Sequence, residues 1–230
     1  MIQVIKHCIE DFENSLGLDP LSARKIPKNY SNLTGHIYSH KNKRLVSFES
    51  KLERDFYILL EFNKDVAKYQ EQPYTINSSK GKFKQYTPDV EITYSDKNRK
   101  KWICEVKYKD EIKRKIKEYK EKFKEAISFA KSNNSIFKII TDDDIYSEYF
   151  ENARFLLPYK DIECAEDDLV ELISTMEHLQ IATPEQILSH CSNNLIEQAK
   201  LIPALWHLVA RGSIDVDLNK PLTMESSLTW

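Results

Sequence analysis

Glycine and cysteine are scarce in this sequence. Its 230 residues include 4 Gly, 8 Pro and 4 Cys, and 41% are hydrophobic and 30% charged. There is no low-complexity tract and no internal repeat, and the apolar fraction is enough for a real core. The cysteines, Cys8, Cys104, Cys164 and Cys191, lie far apart and form no CxxC pair. That argues against structural zinc and for a reduced, cytoplasmic protein. No run approaches the ~18 apolar residues of a membrane-spanning helix. The opening MIQVIKHCIEDFENSL has no basic region followed by an apolar run, so no secretory signal is expected.

What is present is charge, unevenly spread. Residues 161–230 hold three Lys+Arg (Lys200, Arg211, Lys220) and twelve Asp+Glu, whereas 1–160 hold 31 basic and 24 acidic residues. The first part is +7 and the last part -9. Such asymmetry suggests two domains with different partners, a polyanion for the first and a protein for the second. LLPYKDIECAEDD, where the composition turns acidic, is the linker, giving domains 1–160 (core about 45–145) and 161–230.

Periodicity supplies the elements. IEDFENSLGL reads as a short helix, and ESKLERDFYILLEF as a helix with Leu52, Phe56, Leu59 and Leu60 on one face. VAKYQEQPYTIN is extended and broken at Pro73. TPDVEITY and KKWICEVKY are strands joined by SDKNRK. A long amphipathic helix follows, with Ile112, Ile116, Tyr119, Phe123, Ile127 and Ala130 as its buried stripe, then the strand SIFKIIT and a further helix. This order predicts a mixed α/β domain with helices flanking the sheet. Beyond the linker, TPEQILSHC has Thr183 as N-cap and Pro184 at the first helical position, and LIPALWHLVARG closes at Gly212. Three helices plus a terminal hairpin is winged-helix order.

The two central strands carry the chemistry. Residues two apart share a strand face, so Glu105 and Lys107 in CEVKY point the same way, between the apolar Cys104 and Val106. Asp89, after Pro88, opens the neighbouring strand and can reach that face. Two buried carboxylates left unpaired would be costly. A divalent cation, hard and suited to oxygen, accepts both. Lys107 would then orient a nucleophile or stabilise developing charge, as in phosphodiester hydrolysis. An isolated E-x-K pair also suits a solvated surface hairpin. The Pro-Asp opening, the apolar neighbours of Glu105 and an upstream helix with its own Glu favour the site.

Other residues have competing readings. HIYSHKNKR, with His36, Tyr38, His40, Lys41, Lys43 and Arg44, reads as a basic-aromatic DNA-contacting loop or as a solvated linker. Gly35 and its polar neighbours argue against a helix there, and so against a zinc pair from His36 and His40. Asp142, Asp143 and Asp144 read as the cap of the next helix rather than as metal ligands. Residues 97–124 hold thirteen Lys+Arg against five Asp+Glu; a lysine-rich helix is commonly a solvated face, and beside a phosphodiesterase site Lys109 and Lys113 are expected at phosphates. In the acidic part Trp206 and Trp230 are possible interface anchors, with core packing the alternative for Trp206.

The pattern PDV…CEVK resembles the PD-(D/E)xK nuclease superfamily. HIYSHKNKRLVSFESKLERDFYILLEF, YQEQPYTI, YTPDVEITY and CEVKYKDE together resemble the N-terminal domain of TnsA, the endonuclease subunit of heteromeric transposases, over most of residues 30–160. LWHLVARGSIDVDL resembles the family's C-terminal winged-helix domain more weakly. The resemblance implies a restriction-endonuclease-like mixed sheet flanked by helices plus a small winged-helix domain. It implies a DNA endonuclease that uses Mg²⁺, with Mn²⁺ able to substitute. Such an enzyme nicks the 5′ transposon ends beside a TnsB-like DDE transposase and a TnsC-like ATPase, in the bacterial cytoplasm and at the nucleoid when assembled. Carried over, the active site falls on Glu53, Asp89, Glu105 and Lys107, with the Val106 carbonyl as a further metal ligand. Apart from the resemblance Glu53 reads as an ordinary solvated helix Glu, and Glu49, four residues earlier on roughly the same face, is a rival. Gln72 in QEQP either positions the site or makes a turn. A stand-alone restriction or repair nuclease, and an assembly adaptor with an unused site, are the alternatives.

Overall fold

The computed structural model describes residues 33–77 and 85–230; the helix expected at 9–18 lies outside them. The chain divides into two compact units, Met1–Asp142 and Asp143–Trp230.

Among the described residues the first unit opens with a hairpin where the sequence suggested a loop. Strands β1 (Gly35–Ser39) and β2 (Arg44–Phe48) pair antiparallel, with Gly35 opposite Phe48 and Tyr38 opposite Leu45. The alternation in RLVSF buries Arg44, Val46 and Phe48 and exposes Leu45; the charged residues of the turn mask this period of two. Gly35 is required by contact, because a Cβ there would stand 2.8 Å from the Phe48 ring. Helix α1 (Lys51–Phe62) follows, capped by Ser50.

The central sheet has the order β3-β6-β7-β8. Strand β3 (Val66–Glu71) and strand β6 (Val90–Tyr94) are antiparallel, as are β6 and β7 (Trp102–Val106). Strand β8 (Ile136–Ile140) runs parallel to β7 after the crossover helix α2 (Lys109–Ser132). The sheet is therefore mixed, with helices before and after its strands, as the element order predicted. A short ladder of β4 (Ile76–Asn77) and β5 (Gln85–Tyr86) stands apart from it. Within TPDVEITY the strand is Val90–Tyr94; Thr87–Asp89 lead into it from Tyr86, where β5 ends.

Helix α2 departs from its expected stripe. It is kinked at Lys115 (φ -108°, ψ 19°), and its buried residues are Tyr119, Phe123, Ala126 and Ala130. Ile116 and Ile127 are 49% and 42% exposed. The kink breaks the period ahead of Tyr119, and beyond it the buried row runs through Ala126, one residue short of Ile127. The N-cap residue Tyr108 gives no side-chain bond. Instead Asp142, just past β8, accepts from the backbone N–H of Lys109 at 2.7 Å. Asp142 therefore caps the preceding long helix. It also opens a single helical turn, α3 (Asp142–Ile145), while Ser147 caps α4 (Glu148–Leu156).

The second unit continues with a 3₁₀ turn (Leu157–Tyr159), α5 (Glu166–Leu179), β9 (Ile181–Ala182), α6 (Pro184–Cys191), α7 (Leu195–Arg211), β10 (Asp215–Val216) and β11 (Leu228–Thr229). The last three strands form a sheet ordered β10-β11-β9. Thr183 and Gln186 make the capping box of α6, and Gly212 (φ 70°) ends α7 in the left-handed conformation that glycine permits. Trp206 is buried and meets the Phe155 ring edge-on at 5.4 Å, while Trp230 is 45% exposed. Composition put the change of character at 160/161. Packing instead places α4 with the later helices, because Phe155 lies on Trp206 and Asn152 holds the carbonyls of Leu218 and Lys220.

Candidate active site

The site lies where β7 hands over to α2. Val90 stands opposite Cys104, and the Asp89 N–H donates to the Cys104 carbonyl at 3.0 Å. The antiparallel register thus brings Asp89 beside Glu105. The Lys107 N–H bonds the Ile140 carbonyl of β8 at 3.0 Å, so the lysine is tied to the sheet although the strand has ended. Cys104 and Val106 are buried among apolar neighbours, and this fixes which side Glu105 and Lys107 face.

The side chains converge on one nitrogen. Lys107 Nζ is 3.0 Å from Asp89 Oδ2, 3.2 Å from Glu105 Oε1 and 3.1 Å from the Val106 carbonyl oxygen. Asp89 Oδ2 also accepts from the Val106 N–H at 2.7 Å. Glu105 Oε2 accepts from the Tyr86 phenol at 2.6 Å. The two carboxylates keep the Lys107 pKa well above its ordinary value, against the opposing effect of burial. Burial, followed by the charge of Asp89, pushes Glu105 up to about 7. Tyr86, buried beside Glu105, is raised far above its usual range and stays a donor.

Glu53 joins from α1. It is buried, and burial followed by the charge of Asp89 pushes it up to about 7. Its carboxylate is held at the start of its own helix: Oε1 accepts from the Ser50 hydroxyl at 3.0 Å and Oε2 from the Glu49 N–H at 2.9 Å. Ser50 in turn accepts from the Glu53 N–H at 3.1 Å. Ser50-x-x-Glu53 is the sequence pattern of a capping box, a signal that would have fixed the helix start. Glu49 precedes the cap, so it does not share a helical face with Glu53; its backbone, not its carboxylate, is what bonds Glu53.

Gln72 is buried in a turn at φ 41°, and its N–H bonds the Asp89 carbonyl at 2.9 Å. A non-glycine residue in this region persists only where its surroundings fix it. The two readings of Gln72 therefore meet: it makes a turn, and that turn bonds the backbone of Asp89.

The donor set can be tested against a metal. Among the described residues no group of three or more His, Cys, Asp or Glu side chains is arranged to hold an ion by itself. The reason is visible: Lys107 Nζ lies among Asp89, Glu105 and Val106 O, so a cationic nitrogen already stands in for a cation there. Three carboxylates face one ammonium, and two of them are pushed toward protonation. An all-oxygen set with surplus negative charge fits a hard divalent cation.

Of the residues expected at DNA, several are engaged elsewhere. Arg44 is buried and makes a bidentate pair with Glu71, both N···O distances being 2.6 Å. It is a core ion pair and not a phosphate contact. Lys41 Nζ donates to the carbonyls of Asn63 (2.5 Å) and Val66, which turns it inward, toward the end of α1. His36, Tyr38, His40 and Lys43 are exposed on the hairpin, with Tyr38 and His40 edge-on at 5.0 Å. Lys109 and Lys113 are exposed on α2.

Two family models match the chain. Residues 63–142 match the TnsA-like endonuclease N-terminal model, and residues 144–218 match the TnsA endonuclease C-terminal model. The chain belongs to the TnsA endonuclease family. It is therefore a nuclease of the Tn7-type transposition machinery, for which DNA and transposase partners are implied. Asp89, Glu105 and Lys107 fall inside the first match, and Glu53 precedes it. No curated protein matches the chain significantly. Among the described residues no helix is long and apolar enough to cross a membrane.

Proposed function

We propose that this TnsA-family chain is a divalent-cation-dependent endonuclease that nicks the 5′ ends of a transposon during cut-and-paste transposition. A TnsB-like DDE transposase would cut the 3′ ends, and a TnsC-like ATPase would regulate both, in the cytoplasm at the nucleoid. One observation carries the reading: Asp89, Glu105 and the Val106 carbonyl gather around the cationic Lys107 Nζ.

Glu53, Asp89, Glu105 and the Val106 carbonyl would hold Mg²⁺, with Mn²⁺ as substitute. When bound, the ion supplies Lewis acidity at a phosphoryl oxygen. The chain's own residues do the rest. The Val106 N–H aims Asp89, the Tyr86 phenol aims Glu105, and the Gln72 N–H fixes the Asp89 backbone. Lys107, kept protonated by its neighbours, orients the attacking water and faces the charge that develops on phosphorus oxygens.

After α4 and the 3₁₀ turn, the second unit, Asp143–Trp230, has the order α5, β9, α6, α7, β10, β11, which supports a winged-helix domain. Its α7 offers a duplex little positive charge. Lys200 and Arg211 are the two Lys/Arg residues of α7, and the His207 ring bonds the Tyr159 carbonyl. In a segment of charge -9 this favours a protein partner, the regulator or the transposase, over DNA.

The test is strand-specific cleavage of end-bearing DNA by the chain with its transposase and Mg²⁺. Asp89→Ala should abolish the 5′ nick and leave 3′ cleavage intact. Unchanged 5′ nicking by Asp89→Ala would overturn the assignment.

A further inference from the structure

Two cavities meet at the carboxylate cluster. One, about 600 Å³, is bounded by Tyr86, Asp89, Glu105 and the part of α2 beyond its kink, including Tyr119 and Lys122. The other, about 470 Å³, is bounded by the start of α1, including Lys51 and Glu53, and by the first turn of α2. Glu49 and Lys107 line both. Helix α2 thus runs past both cavities, with the bend at Lys115 between its two contributions.

The wall charges are uneven. In the first cavity Glu49, Asp89, Glu105 and Glu118 oppose Lys107 and Lys122. In the second, Glu49, Glu53 and Glu111 oppose Lys51 and Lys107. Apart from the shared Lys107, each cavity has one cation among the described residues, and the two stand on different helices. Lys122 lies 3.7 Å from Glu118 and Lys51 lies 3.7 Å from Asp55. The Lys122–Glu118 pair is partly exposed and worth little, and the buried Asp55 keeps Arg54 at 2.7 Å when the exposed Lys51 turns away, so both lysines can exchange for a phosphate.

A nucleic-acid strand cut at Lys107 must continue in both directions from the scissile phosphate. Its neighbouring phosphates then meet walls that are otherwise acidic, and each needs a cation. We infer that the two cavities are the two arms of one strand path, in which Lys122 holds the backbone phosphate on one side of the nick and Lys51 the phosphate on the other. The inference rests on the nuclease reading and specifies how that site takes its DNA.

The test uses the full-length chain and a short end-bearing duplex. Binding is followed by fluorescence anisotropy in Ca²⁺ across a salt series. The duplex carries either native phosphates or a single neutral methylphosphonate, immediately 5′ or immediately 3′ of the nick. Lys51→Ala and Lys122→Ala should each weaken binding about 3- to 10-fold and flatten the salt slope by about 0.9, as for one phosphate contact. Lys64→Ala, on an exposed lysine lining neither cavity, should do neither. Each cavity-lysine variant should be indifferent to the methylphosphonate on one flank only, and the two flanks should differ. Losses that add at both flanks, or both lysines coupling to one flank, would overturn the strand path. Absence of cation-dependent nicking by the wild-type chain with its transposase would instead refute the nuclease reading, while the flank coupling, read in binding, still decides the path.

Discussion

The phenol of Tyr86 donates to one carboxylate oxygen of Glu105 at 2.6 Å, while the other oxygen lies 3.2 Å from Lys107 Nζ. Glu105 is thereby held at both ends. The Tyr86 ring belongs to a small buried cluster with Ile76 and Ala126, so Tyr86→Phe keeps the packing and deletes one bond. A hydrogen bond to a charged group is worth about 1.5–3 kcal/mol. Tyr86→Phe should therefore lower kcat for 5′ nicking by roughly 10- to 100-fold with little change in KM for DNA. Its melting temperature should stay within a few degrees of wild type. Single-turnover nicking beside a thermal melt separates the two effects; an unchanged kcat would show that Glu105 needs no such support.

Glu53 should prove to have two roles, separable by substitution. Glu53→Gln keeps one acceptor oxygen, for the Glu49 N–H, and its amide N–H can donate to the Ser50 hydroxyl in place of accepting from it, so it should fold normally and yet fail to nick. Glu53→Ala loses the capping acceptor as well, at a cost of about 1 kcal/mol, and should be both inactive and slightly less stable. Glu49→Ala should keep most activity, because its N–H, which bonds Glu53, remains. An active Glu53→Gln together with an inactive Glu49→Ala would reverse the assignment of the two acids.

Arg44→Ala should behave as a folding variant. Removing one member of a buried pair typically costs about 3–5 kcal/mol, and Glu71 would be left buried with its charge. The melting transition should fall by roughly 10 °C or more, while the salt slope of DNA binding by the remaining folded protein should not change. A flatter slope with normal stability would restore Arg44 to the DNA surface.

Stability should depend on pH in a direction set by Glu53 and Glu105. Both are pushed up to about 7 in the folded chain, from 4.5 when unperturbed. Between those values the folded state holds more protons than the unfolded one, so stability falls as pH rises. In EDTA the first unit should melt at progressively lower temperature from pH 5 to pH 8. Added Mg²⁺ should recover the loss, most at the alkaline end, where both carboxylates are charged. Thermal melts at several pH values, with and without Mg²⁺, would show it. A melting temperature that rises over this range in EDTA would contradict the burial argument.

Much of the site was legible because a strand has a period of two. Glu105, Lys107 and Asp89 could be placed together from CEVK and PDV alone, since only the hairpin pairing was needed. Glu53 was readable from its family position, and Ser50-x-x-Glu53 would have fixed its register from capping chemistry. Tyr86 was missed because its role depends on β5 leaving the line of β6, a break within YTPDV that periodicity does not mark. Arg44 and Lys41 misled for a related reason. A cation in a polar stretch reads as solvated, and the acceptors that draw these two inward, Glu71 and the carbonyls of Asn63 and Val66, are more than twenty residues away. The stripe of α2 failed at Ile116, which adjoins the kink at Lys115, and at Ile127, where the buried row runs through its neighbour Ala126.

The segment between β7 and α2 consists of Lys107 and Tyr108 alone. Its backbone is fastened by the Lys107 N–H to Ile140, and the helix behind it is fastened by the Lys109 N–H to Asp142. Lys107 is thus carried on a span with no slack, clamped on one side to the end of β8 and on the other to Asp142, just past that strand. Evolution of this enzyme toward new DNA ends cannot proceed by lengthening or shortening the chain here, since one inserted residue would break the clamp or move the ammonium off its carboxylates. Variation in length belongs at the turns remote from this junction, and within it only the exposed Tyr108 side chain is open to exchange.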